Sequence, residues 1–359
     1  MLENGEVSQA FPKKLLNDGN KMPVIGYGTD LCDPESIGRD VKFALKIGYR
    51  HLDCAYGNKN LEEIGEALLG VFAKGKIKRE ELFITSKVWN THHSYARAIE
   101  NIDTILTQLQ LDHVDLMLIH WPQGYEEGDD TYPENADGTR RFSNVDYLKT
   151  WRALEDAKMS EKVKSIGLAN FNQKQIERVW TAARIKPVVL QVEMHPLLQQ
   201  NELRAFCAVR NIVITARRPF QNFCAATSGP RCASADAFRR SIALLNEPIM
   251  QMGNSHGKTA EQVTLRWFIQ HDITVIPFST KKEMEDNLKI FDFQLTVNEM
   301  STIDGINRNM RFIMARGDEA SPHYPFSENS EVSDMHLIKM YFLILCLTFL
   351  TLITFQCLQ

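Results

Sequence analysis

VDLMLIHW, residues 114–121, is an apolar run interrupted only by Asp115 and closed by His120 and Trp121. A run this short and this apolar reads as a strand buried on both faces, which is a property of parallel sheets covered by helices. Seven further runs share that character: PVIGY (23–27), HLDCA (51–55), LFITSKV (82–88), SIGLA (165–169), VVLQVE (188–193), IVITA (212–216) and ITVIPF (273–278). Amphipathic stretches with helical spacing lie between them, at 37–47, 61–69, 95–109, 147–157, 175–183, 202–209 and 260–269. Eight strands with helical stretches between them describe a single-domain (β/α)₈ TIM barrel, whose active site must lie where the strands end. Polar residues sit at those ends: Asp53, Lys87, His120, Asn170 and Gln191. A doubly wound open sheet is the alternative, weakened by the lack of G-x-G-x-x-G after the first strand. The segment 123–143 (QGYEEGDDTYPENADGTRRFS) follows the fourth strand and is too polar for core, so it is expected as a surface loop on the catalytic face.

Composition narrows the class. The 359 residues carry a net charge of −4, with 44% hydrophobic and 24% charged residues. That is an ordinary globular balance, and it excludes a polybasic nucleic-acid binder. Seven cysteines (32, 54, 207, 224, 232, 346 and 357) form no C-x-x-C pair and no Cys/His ligand spacing, so no metal site or disulfide framework is expected. The polar, acidic start MLENGEVSQAFPKK lacks the basic and then apolar order of a signal peptide, and a cytoplasmic body is the expectation. The barrel is assigned to 1–330, and 331–359 to a polar linker and hydrophobic tail. Within that tail MYFLILCLTFLTLITF (340–355) is uncharged over sixteen residues, about 24 Å as a helix. That is short of a roughly 30 Å hydrocarbon core unless flanking residues help, so membrane contact through 337–357, with the barrel facing the cytosol, is one expectation and a tail packed on the protein the other.

Six motifs, GYRHLDCAY (48–56), LFITSKVWN (82–90), VDLMLIHWP (114–122), SIGLANFN (165–172), QVEMHP (191–196) and HYPF (323–326), together resemble the aldo-keto reductases, in the family's order and over roughly residues 10–327. The resemblance implies NADP(H)-dependent reduction of a small-molecule aldehyde or ketone by a monomer. The chemistry stands beside it: a carbonyl that accepts hydride develops negative charge on oxygen, and needs a proton donor and hydrogen-bond donors there. By the resemblance Asp53 orients Lys87, Lys87 activates a tyrosine, and His120 positions the carbonyl. The family's tyrosine usually lies five residues after the Asp, whereas Tyr56 lies three after Asp53. An ungapped reading puts Asn58 at that place, and an amide is no general acid. A two-residue deletion, offset by extra residues at 59–61, keeps Tyr56-Gly57-Asn58 in the family's order and makes Tyr56 the donor.

The resemblance also implies cofactor contacts at Asn170, Gln191, Arg217, Ser279, Lys281 and Asn287. Four features depart from the family's pattern: the tyrosine spacing, Ala169 in place of a serine, Arg217 in place of the aromatic that stacks on nicotinamide, and Phe278 in place of a lysine after the eighth strand. An arginine there sits unfavourably against an oxidised nicotinamide. These departures motivate a second reading, a catalytically impaired barrel serving as a binding or scaffold protein. Trp89, Trp121 and Phe326 are expected to wall the substrate pocket, with Asp30 making one side polar.

Overall fold

The computed structural model describes residues 11–30, 34–220, 247–277 and 279–326. A hairpin of β1 (Lys13–Leu15) and β2 (Lys21–Pro23) comes first. Then follow β3 (Tyr27–Gly28), β4 (His51–Asp53), β5 (Phe83–Val88), β6 (Val114–Ile119), β7 (Val163–Ala169), β8 (Val189–Glu193), β9 (Val213–Arg217) and β10 (Thr274–Ile276). Their helices are α1 (Pro34–Ile47), α2 (Leu61–Phe72), α3 (Tyr95–Leu109), α4 (Tyr147–Met159), α5 (Gln173–Ala182), α6 (Asn201–Ala208), α7 (Glu247–His256), α8 (Ala260–Gln270), α9 (Lys281–Asn287) and α10 (Val297–Asp304). The last eight strands form one sheet in sequential order, with every neighbouring pair parallel.

The sheet closes on itself. Gly26 N donates to Val275 O at 3.0 Å and Val275 N donates to Val24 O at 2.9 Å, joining the first barrel strand to the last. Closure needs a glycine here, because a Cβ at Gly26 would lie 2.5 Å from Ile276 Cδ1 and 2.9 Å from the His51 ring. Inside and below, Leu16 and Met22 of the hairpin pack with Phe83, Leu116, Leu118, Val188, Val189 and Val213, most of them near the N-terminal ends of their strands. The hairpin therefore plugs the bottom, tied there by Asn17 Nδ2 donating to Pro187 O and Asn211 O. The (β/α)₈ expectation holds, with one correction: the run read as a strand over 23–27 divides between the end of the hairpin and the two-residue β3. Residues 21–23 reach the bottom plug, where Met22 is fully buried.

Helix starts are fixed locally. Thr259 with Gln262, Thr280 with Glu283, Thr296 with Glu299 and Asn172 with Gln175 each form a capping box that satisfies otherwise orphaned amides. Helices α7, α9 and α10 were not among the periodic stretches singled out. The tail 337–357 and Phe278 lie outside the described residues. Among the described residues no helix is long and apolar enough to cross a membrane.

Candidate active site

Parallel closure aims the strand ends at one rim, and the chemistry-bearing residues collect there. Asp53 ends β4, Lys87 is next to last in β5, His120 and Asn170 directly follow β6 and β7, and Arg217 ends β9. Lys87 Nζ donates to Asp53 Oδ2 at 2.7 Å and to Cys54 O at 2.8 Å. The two side chains are only 2% and 5% exposed, so this is a buried, charge-assisted pair. The second carboxylate oxygen accepts from Gln191 Nε2 at 2.9 Å. Since β4 and β8 stand four apart in a ring of eight strands, that bond crosses the barrel interior. Asp53 thus holds Lys87 on one side and is itself held from the opposite wall.

His120 is buried beside this pair, its ring edge-on to Trp89 at 5.1 Å. Burial, reinforced by the positive charges of Lys87 and Arg217, holds its pKa well below the ordinary histidine value, so the imidazole is neutral at pH 7. The backbone carbonyl of His120 accepts from Asn170 Nδ2 at 2.9 Å, and Asn170 itself takes a left-handed conformation at φ 61°. Among the buried polar atoms without a protein partner are His120 Nδ1 and Gln191 Oε1. Orphaned buried polar atoms at a rim are where a ligand's own polar groups belong.

Tyr56 opens a one-turn 3₁₀ helix, Tyr56–Asn58, three residues past Asp53 in the chain. Its half-buried ring meets His92 edge-on at 5.1 Å and packs on the cluster of Trp89, Trp121, Tyr125, Met314, Tyr324 and Phe326. Burial and the nearby Arg97 push His92 down to about 4, so its ring is an uncharged neighbour. Gly57 fits because a Cβ there would stand 2.7 Å from the Trp89 ring. Asn58 turns toward the first barrel strand, with Nδ2 making a long bond of 3.4 Å to Thr29 Oγ1.

The three aromatics expected as a pocket wall are brought together. Trp121 and Phe326 meet edge-on at 6.0 Å, and Trp89 joins them in one cluster. The segment 123–143 is the loop expected, exposed over most of its length, but it also contributes core, since Gln123, Tyr125 and Thr131 are buried. Thr131 O accepts from Trp89 Nε1 at 2.9 Å, and Tyr125 Oη donates to Asp318 Oδ2 at 2.5 Å, with Arg140 lying over the Tyr125 ring. Tyr125, Arg140 and Asp318 escaped the sequence reading because their partners are nearly two hundred positions away or on another turn of the same loop. Glu193 is a fourth such residue. It ends β8 and accepts from the amides of Phe312 and Ile313, both at 2.9 Å, and from His195 Nε2 at 3.1 Å, which anchors the C-terminal loop.

The expected cofactor residues after β10 are more dispersed. Asn287 Nδ2 donates to Ser279 Oγ at 2.7 Å, and both side chains are buried. Lys281 is half exposed, 3.5 Å from Asp40 Oδ1 and over the Phe43 ring. Arg217, at the end of β9, is tied in place by donating to Asp30 Oδ2 at 2.8 Å. Among the described residues no group of His, Cys, Asp and Glu is arranged to hold a metal ion.

A parallel eight-stranded barrel with a buried Asp-Lys pair, a neutral His and an aromatic wall at its C-terminal rim defines a carbonyl-reducing oxidoreductase, and the chain belongs to the aldo/keto reductase family, whose profile matches residues 25–308. It is similar to bovine aldo-keto reductase family 1 member A1, with 42% identity over 88% of this chain and 98% of the relative. The human protein of the same name is 40% identical over the same shares. Among solved structures it resembles the aldose reductase from Schistosoma japonicum, with a TM-score of 0.80 and 36% identity over 89% of this chain and 100% of that one.

Proposed function

We propose that this rim reduces small aldehydes or ketones to alcohols with NADPH, and that Tyr56 donates the proton. The observation that carries the reading is the buried Lys87–Asp53 pair beside a neutral His120. A neutral imidazole keeps one N–H to donate to the carbonyl oxygen without adding a cation to the site. The Lys87 ammonium stabilises negative charge that develops on that oxygen, and Asp53, fixed by Gln191, keeps the ammonium in place. Trp89, Trp121 and Phe326 exclude water and suit an apolar or aromatic substrate.

The residues present fit a nicotinamide cofactor. Gln191 Oε1 is an unpartnered acceptor for a carboxamide N–H, and the family resemblance assigns Asn170 to the same carboxamide and Ser279, Lys281 and Asn287 to the phosphate and adenine. When bound, NADPH supplies the hydride.

Two features support Tyr56 over Asn58 as the donor. Tyr56 packs on the aromatic wall beside Trp89, whereas the Asn58 amide is turned to Thr29. The impaired-barrel reading rested on four sequence departures, and the Asp-Lys-His set is nonetheless assembled. The test is Tyr56→Phe. Carbonyl reduction should fall by roughly 10² to 10⁴ while NADPH still quenches protein fluorescence as in the parent. Unchanged turnover in the variant would remove Tyr56 from the mechanism. A parent protein that binds NADPH but turns over no carbonyl would instead support the binding reading.

A further inference from the structure

Two residues that look like independent oddities in the sequence, Asp30 and Arg217, are partners in the fold. Asp30 lies just past β3 and Arg217 ends β9, so their bond bridges the rim across β10, the strand between them. Arg218 joins them: its Nη2 donates to the same Asp30 oxygen at 3.3 Å. All three side chains are less than 15% exposed. Burial raises the Asp30 carboxyl, but Arg217 and Arg218 more than offset it, so it stays charged. Two guanidiniums therefore share one carboxylate.

The charges around this triad balance otherwise. Lys87 is paired with Asp53, and Arg311 stands 3.9 Å from the buried Glu193. Among the described residues one positive charge is left over at the rim. It reaches the reacting site, since the charge of Arg217 is felt at His120 and that of Lys87 at Asp30.

We infer that the Asp30–Arg217–Arg218 triad makes the site discriminate between the two redox forms of its cofactor, favouring the neutral reduced nicotinamide over the cationic oxidised one. The inference rests on the cofactor class proposed above. Its geometry follows from the chemistry: a carbonyl held at His120 and Lys87 accepts hydride only from a donor about 3 to 3.5 Å away. A ring at that distance shares the rim with the uncompensated guanidinium, and the oxidised ring is repelled by it. The two cofactor forms carry identical phosphates, so their affinity ratio isolates the charge on the ring.

The experiment is a titration of the full chain with NADPH and with NADP⁺, followed by quenching of tryptophan fluorescence. The parent protein should bind NADPH at least about tenfold more tightly, which is about 30 mV in the potential of the bound couple. Arg217→Gln should bring the two affinities within about threefold, Arg217→Lys should keep the parent's ratio, and Asp30→Asn should widen it. Circular dichroism checks that each variant is folded. Equal affinities in the parent, or a ratio that survives Arg217→Gln, overturns the inference, and the first of these needs no variant. Binding of neither form overturns the cofactor assignment beneath it, a distinguishable failure.

Discussion

Removing one member of the Lys87–Asp53 pair should be worse than removing both. The pair is 2% and 5% exposed, and Lys87 Nζ has two short acceptors, Asp53 Oδ2 and Cys54 O. Asp53→Asn leaves a buried ammonium with neutral acceptors only, and Lys87→Met leaves a buried carboxylate held by Gln191 alone. Each single variant strands an uncompensated charge and should lose about 3 to 5 kcal/mol of stability. In the double variant no charge remains and the Met side chain fills most of the space. Its loss should be about 1 to 3 kcal/mol, smaller than either single loss. Urea unfolding of the four proteins measures the cycle. Turnover supplies a second axis, because all three variants lack the charged pair and should be slower by 10² or more, including the stable double variant. Additive losses in the cycle would refute the claim that these two groups compensate each other in a desolvated site. A double variant that turns over like the parent would refute their role in the chemistry.

Three further outcomes are expected. NADPH and NADH should bind within about tenfold of each other: Lys281 is shared with Asp40, and the Glu283 carboxylate occupies the start of α9 by accepting from Thr280 N. A thousandfold preference for NADPH, read by the same fluorescence titration, would contradict this. Glu193→Gln should cost about 2 kcal/mol and speed hydrogen exchange at Phe312 and Ile313, because one of the two amides it serves must then face an N–H; a raised KM should follow as Phe326 loosens. Stability should fall with acid, since burial pushes His51 down to about 4 and His93 down to about 3. Both stay neutral in the fold while the unfolded chain takes up protons below about pH 6.5, so the unfolded state binds more protons and stability is lost as pH drops from there toward 4. His93→Phe removes one such proton, and the slope of unfolding free energy against pH should flatten by about 1.4 kcal/mol per unit between pH 4.5 and 5.5.

The architecture was legible because its signals are local. Apolar runs such as VDLMLIHW and the amphipathic stretches between them state strand and helix by their period, and a run closing on Asp53, Lys87 or His120 places that side chain at the catalytic rim without knowledge of any contact. Elements that take their form from neighbours were read only in part. Residues 23–27 split between hairpin and barrel because Met22 is needed in the bottom plug, and the polar segment 123–143 yields core residues because Trp89 and Asp318 supply partners for Thr131 and Tyr125. The same division runs through the site. Sequence alone determined which residue types stand at the strand ends and that Tyr56 departs from the family's spacing. Only the tertiary structure decided that Gln191 reaches across the barrel to Asp53, and that Asp30 meets Arg217 and Arg218. Those bonds join positions 138 and 187 residues apart. An ion pair at that separation leaves no local period in the chain, and its energy exists only once the barrel has closed and taken both partners out of water.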